Sequence, residues 1–411
     1  MAYDVARVRG LYVSLSDGWT YLNAHACPQI PERVSAAVSR SFRMSTALSD
    51  IEPASGTHSR ATRAGRLEGE SYLDAARLAV SDLVGAAPEQ VVLGPSLQVL
   101  YHSLARAMRP ILRHNPSVVL SQLDNPVLTD AFANGSTEVR WAQPDLATGA
   151  LPGFQYADLV DGTTRLVSLS AAHELLGTVA PVAEIADTVH DRSRSWVLVD
   201  ASALAAYRPL EADQWGADIV AVDLAALGGP QLSALIFRDT RMLKRLDPLV
   251  PGFDPEDIRK LETPVSTGLA GGVAATVDHL ADLVETRGTR RTRLQSSMTQ
   301  LQEYLENRTA ELITSLNTLT AVHILGVTGE AAGGGVRDRI PRLSFAVRDV
   351  PAETVHQRLI DNGLVTNICP HTPLLTEMGV DEIGGAVTVA LGPFNTSVDV
   401  DNLTRVVASL A

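Results

Sequence analysis

Residues 196–230 read WVLVDASALAAYRPLEADQWGADIVAVDLAALGGP. The runs WVLVD and DIVAVD are apolar without alternation, which marks strands buried on both faces of a sheet. Each ends on a carboxylate, Asp200 and Asp223. Working outward, SVVLSQ, EVRWAQ, RLVSLS and LSALIFRD read as further strands. SYLDAARLAVSDLVGA, SLQVLYHSLARAM, PVLTDAFANG and PVAEIADTVHDRS carry apolar residues at spacings of three and four and read as helices. Ser96 is placed to cap the second of these. Strands alternating with helices from about residue 66 to 240 predict a mostly parallel sheet with helices on both faces.

The pattern changes after about residue 256. TGLAGGVAATVDHLADLVE and TRRTRLQSSMTQLQEYLENRTAELITSL read as helices, and shorter strands and helices follow. PAETVHQRLIDNG opens on Pro and closes on Gly363, as helix ends prefer. The expected division is a large α/β domain over 18–258 and a smaller α+β domain formed by 1–17 with 259–411.

The chain has 411 residues, 45% hydrophobic, and a formal charge of -13. That acidity argues against nucleic acid and anionic membranes as partners, since both reward basic patches. No apolar run reaches the roughly 20 residues of a membrane span, and MAYDVARVRG lacks a secretory pattern. A cytoplasmic protein is the expectation. Two cysteines, Cys27 and Cys369, are too few for a disulfide framework or a four-thiolate metal site. Only Lys244 and Lys260 are lysines, against 34 basic residues in all.

Common motifs for phosphate cradles, zinc proteases, serine hydrolases and dithiols are absent. GEAAGGGV (Gly329 to Val336) reads as a loop, because no helix follows it to offer an anion-binding N-terminus.

Segment order carries more information. YLNAHACPQIP, APEQVVLGPSLQVLYHSLARAM, RLVSLSAAHELLGTVAPVAEIADTVH, the stretch 196–230 and GGAVTVALGPFNTSVDVDNL follow one another over nearly the whole chain. Together they resemble the class V aminotransferase family, fold type I of the pyridoxal-phosphate (PLP) enzymes, in its cysteine-desulfurase-like branch. The resemblance implies a mostly parallel seven-stranded-type sheet flanked by helices, a smaller α+β domain, and a homodimer.

Position by position, the resemblance implies a changed site. Asp200 stands where the family's carboxylate pairs with the cofactor's pyridine nitrogen. Ala226 stands at the Schiff-base lysine, and an alanine offers no nucleophile. Ala225 replaces the preceding His, and Asp223 replaces a phosphate-binding Ser. Asn125 stands at the ring-stacking imidazole, and Gln98 near the phosphate Thr. Glu174 takes the place of an Asn, Ala203 that of a Gln, and Thr388 that of the Arg that holds a substrate carboxylate.

No PLP is therefore expected unless it binds without a covalent bond, and the chain is expected to be a pseudoenzyme, a scaffold or a binder of some other small molecule in the remodelled cleft. Two alternatives stand beside this reading. An active PLP enzyme would need Lys244 or Lys260 to reach the ring. A PLP-independent enzyme would draw on Asp223, His173, Glu174 or Cys369. His25 is placed like His173. Cys27 is expected to pack in the interior. His173 and Glu174 are neighbours and would face opposite sides if their strand continued through them.

Overall fold

The computed structural model describes residues 3–48, 65–113, 115–133, 137–327 and 338–410. The glycine-rich stretch Gly329 to Val336 lies outside them.

The strands predicted on either side of residue 196 form one sheet. In chain order they are β2 (Val91–Gly94), β3 (Ser117–Ser121), β4 (Glu138–Ala142), β5 (Thr164–Ser170), β6 (Trp196–Asp200), β7 (Ile219–Asp223) and β8 (Ser233–Phe237). Their spatial order is β2-β8-β7-β6-β5-β3-β4. β8 runs antiparallel to both of its neighbours, and the other pairs are parallel. β2, β3 and β8 are buried throughout their length, as unbroken apolar runs require. β4 is mostly open to solvent, because it is an edge strand.

Helices cover both faces. Leu97–Ala107 begins at Ser96, whose hydroxyl accepts the Val99 N–H as expected of a cap. Thr267–Ala281 lies against Glu32–Met44. Gly268, Gly271 and Gly272 make that approach possible, since a Cβ on any of them would strike Phe42, Ser41 or Val38.

A second sheet joins β9 (Val322–Ile324), β10 (Arg342–Val347), β12 (Asn367–Ile368) and β13 (Val387–Ala390) in the order β12-β13-β10-β9, all antiparallel. The register pairs Ser344 with Thr388 and Arg342 with Ala390. The helix Ala352–Asp361 ends before Gly363, whose φ of 79° only glycine adopts cheaply. β1 (Thr20–Tyr21) pairs in parallel with β11 (Leu364–Val365), and Asn395 Nδ2 donates to the Tyr21 carbonyl at 3.0 Å. The Leu22 carbonyl accepts the Ala390 N–H of β13 at 2.8 Å, which ties the early chain to the smaller sheet. We propose that the chain divides at about residue 258, as its change of pattern indicates.

Among the described residues no helix is long and apolar enough to cross a membrane. Cys27 departs from expectation. It is exposed, because its turn leaves the side chain outside while its carbonyl accepts the Tyr21 hydroxyl.

Candidate functional site

The carboxyl ends of β2, β3, β5, β6 and β7 open onto one cavity of about 650 Å³. Open α/β sheets bind their ligands at this position. Its wall includes Gln98, Asn125, His173, Glu174, Asp200, Ala203, Asp223, Ala225 and Ala226, along with His25. Residues scattered over 200 positions of sequence thus converge on a single space. Cys369 and Thr388 do not line it.

The strand ends build its floor. Asp200 Oδ1 accepts the N–H and the hydroxyl of Ser202, at 2.9 and 2.6 Å. Ser202 Oγ in turn accepts the Asp223 N–H at 2.9 Å. Asp223 Oδ1 then accepts from the Ala225 N–H and the Ser233 hydroxyl. Burial raises the Asp200 carboxyl to about 6, partly offset by Ser202, and pushes Asp223 in the same direction.

Asp124, next to the predicted Asn125, completes this acidic side. Its Oδ1 accepts the Ser170 N–H at 2.7 Å, which links the ends of β3 and β5. Its Oδ2 is buried without a partner. Burial raises this carboxyl to about 7, and nearby Asp200 adds to the rise. Asn125 spends its own Oδ1 on the Val127 N–H, starting the helix Pro126–Ala133.

The opposite side carries basic groups together with Glu174. β5 stops at Ser170, so the alternation that would separate His173 from Glu174 does not apply, and both face the cavity. A tight turn replaces the strand: the Gly177 N–H donates to the His173 carbonyl, and the Leu176 N–H donates to His173 Nδ1. The ring proton of neutral His173 therefore sits on Nε2. Burial, then Arg339 and Arg342, lower its imidazole to about 4. Burial and Arg342 do the same to His25, both of whose ring nitrogens are buried without partners.

Arg342, like Asp124, is a residue that sequence reasoning missed. It opens β10 and lines the cavity at 3% exposure. Nε donates to the Tyr207 hydroxyl at 3.1 Å, and the guanidinium lies 5.1 Å from the Tyr207 ring centre. Thr388, where the family's arginine was expected, is fully buried and hydrogen-bonds Ser344 across the strands at 2.8 Å. Cys369 is 7% exposed, its sulfur 3.6 Å from the Ser344 hydroxyl. Burial raises its thiol, and His371 is bonded to Asp381.

The two lysines lie elsewhere. Lys244 is exposed and paired with Glu256. Lys260 is 3% exposed, with Nζ donating to the carbonyls of Leu243 and Leu246 at 2.7 and 2.9 Å. Neither lines the cavity. PLP held through a Schiff base does not fit this wall, which presents Ala226. The phosphate fits no better, because the Ala225 N–H is already taken by the Asp223 carboxylate, which would repel it.

Exchanging Asp124 for Asn gives a direct check of the acidic floor. With a folded pKa near 7, well above the ordinary value of 3.8, Asp124 binds its proton more tightly in the folded state. Its charge thus opposes folding above pH 7, and the opposition fades as pH falls from 7 toward 4. D124N should be about 1–3 kcal/mol more stable than the parent at pH 8, allowing for relaxation around the buried charge, with the gain shrinking through that window. Urea denaturation at several pH values reads this. Titration of His25, His173 and His279 is common to both proteins and cancels.

Helices on both faces of a seven-stranded mixed sheet and a strand-end cavity under a smaller sheet define a protein of the PLP fold type I class. The chain belongs to the class V aminotransferase family: the family profile, described as Aminotransferase class-V, matches residues 20–403. It is 40% identical to the uncharacterised protein MT3887 of Mycobacterium tuberculosis over the whole of both chains. It is 24% identical to a probable cysteine desulfurase of Methanothermobacter thermautotrophicus, covering 95% of this chain and 94% of that one. Among solved structures, the cysteine desulfurase CsdA of Escherichia coli superposes with a TM-score of 0.79 at 17% identity, covering 100% of this chain and 98% of the other. The apo cysteine desulfurase of Thermococcus onnurineus superposes with a TM-score of 0.80 at 18% identity, covering 100% and 99%. At such identity these structures share the fold.

Proposed function

We propose that this chain is a class V aminotransferase homologue that has lost PLP Schiff-base catalysis and binds a different small molecule in its cleft. One observation carries the reading: Ala226 forms the wall where a lysine is needed, and both lysines of the chain are engaged outside the cavity. A carbonyl cannot be captured without an amine to attack it. The Asp223 carboxylate on the Ala225 N–H supports the same reading, since it occupies a donor that a phosphate would use.

Incubation with PLP followed by borohydride is the test. The expected result is no visible absorbance band and no stoichiometric adduct by mass spectrometry. An adduct at a single lysine would sink the reading, and K244R with K260R would then show which lysine forms it.

An enzyme working without PLP has less support. His173 is neutral at pH 7 with Nδ1 occupied, so it offers a donor rather than a base. Cys369 is buried with its thiol raised, which removes the thiolate a nucleophile requires. We also propose that the chain forms a homodimer in the cytoplasm. Phe42 and Met44, exposed at the end of Glu32–Met44, and Ile30, exposed ahead of its start, supply apolar surface for the contact.

A further inference from the structure

The cavity wall carries the carboxylates Asp124, Asp200, Asp223 and Glu174 and, from β10, the cation Arg342, and Asp124 and Arg342 each have an unmet bonding capacity. On one side, Asp124 is 9% exposed and its Oδ2 lacks a donor, with Asp200 and Asp223 beside it at the ends of β6 and β7. On the other side, Arg342 is 3% exposed, makes one hydrogen bond through Nε, and has no acceptor or ion pair for its remaining N–H groups among the described residues. His25, with two orphaned ring nitrogens, and the Nε2–H of His173 belong to this second side. Among the described residues no carboxylate is bonded to this guanidinium.

The position of Arg342 explains how the basic side arose. Ser344 and Thr388 are cross-strand partners, and Arg342 lies two residues before Ser344, so both project from the same face of β10. Arg342 is therefore a diagonal neighbour of residue 388. A cation is missing from β13 and present one strand over.

We propose that the cavity binds an extended zwitterion, its carboxylate held by Arg342 and its protonated nitrogen by Asp124. The two charges are carried by different sheets, β10 in one and the end of β3 in the other. A ligand that satisfies both separates its amine from its carboxylate by several atoms, unlike an α-amino acid. The volume of about 650 Å³ accommodates such a molecule. This inference rests on the cleft being free of lysine-bound PLP.

The test uses the whole protein, shown first to form no borohydride-trapped PLP adduct. 6-Aminohexanoate, hexanoate, hexylamine and glycine are titrated by calorimetry, with hexyl phosphate as a second anion. 6-Aminohexanoate should bind at least tenfold tighter than each of the others. R342Q should weaken 6-aminohexanoate and hexanoate by tenfold or more and leave hexylamine unchanged. R342K should recover part of the loss, since a point charge replaces the planar fork. D124N should weaken 6-aminohexanoate and hexylamine and leave hexanoate unchanged. Near-UV circular dichroism establishes that each variant folds; should R342Q fail to fold, R342K and D124N still read the two ends separately.

Three results would each overturn the proposal: no advantage of 6-aminohexanoate over hexanoate and hexylamine, no binding of any probe, or equal losses for all probes in both variants. Tighter binding of hexyl phosphate than of hexanoate would assign Arg342 to phosphate and overturn the carboxylate assignment. A PLP adduct in the preliminary assay would instead remove the reading on which the inference rests.

Discussion

Replacing Gly177 by alanine should destabilise the protein by about 3–5 kcal/mol, combining a left-handed backbone penalty with a clash against backbone that cannot rotate away. Gly177 has a φ of 75°. A Cβ there would run into the carbonyl oxygens of Arg342 and Ile340. The contact is also a working one, since the Gly177 carbonyl accepts the Ile340 N–H at 2.9 Å. Pushing β10 away would carry Arg342 out of the cavity and loosen the turn that aims His173. The loss should therefore appear both in the urea midpoint and in weaker binding of carboxylate probes. Gly162→Ala is the control. Its Cβ would meet nothing within 4 Å and its φ is ordinary, so a change within about 0.5 kcal/mol is expected there.

Lys260→Met should cost about 1–3 kcal/mol. Methionine retains the length and apolar stem but leaves the Leu246 carbonyl buried without a donor, at about 1–3 kcal/mol, while the Leu243 carbonyl still accepts the Leu246 N–H at 2.9 Å. Relief from burying an ammonium offsets part of this. The Lys260 backbone carbonyl, which accepts the N–H groups of Leu249 and Val250, is unaffected, so the loss isolates the side chain. Equilibrium urea denaturation measures it. If K260M were neutral, the ammonium would be free enough to serve elsewhere, and the case for an unoccupied lysine would reopen.

Much of the large sheet is readable from composition and run length alone. β3, β6 and β7 are apolar without alternation because helices cover both faces, and each ends where polar residues begin. Asp200 and Asp223 are legible for that reason. Asp124 is legible in principle too, as the first carboxylate after SVVLSQ, but the family resemblance falls on its neighbour Asn125. Arg342 was hidden by context: one arginine at the start of RLSFAV looks like a strand end among many arginines. Its importance arises from register, which sets it beside Thr388, and register between distant strands is not written in either strand. The pairing of His173 with Glu174 on one wall depended on where β5 stops. That is decided by the positive φ of Gly177 and by the close approach of β10, both tertiary facts.

The tie between the early chain and the smaller sheet has a consequence for how the molecule is made. Tyr21 accepts a hydrogen bond from Asn395, 374 residues later, and Thr20–Tyr21 pair with Leu364–Val365. On a ribosome, all strands between Val91 and Phe237 emerge before those partners exist. The large sheet can close on its own contacts while the segment at 20–22 waits, unpaired, for nearly the whole of synthesis. Contacts of such separation are the slowest to form. The smaller sheet is therefore the final piece of assembly, and Arg342 reaches the cavity only when that piece docks. The carboxylate floor belongs to the part of the chain made first, and Arg342 to the part made last.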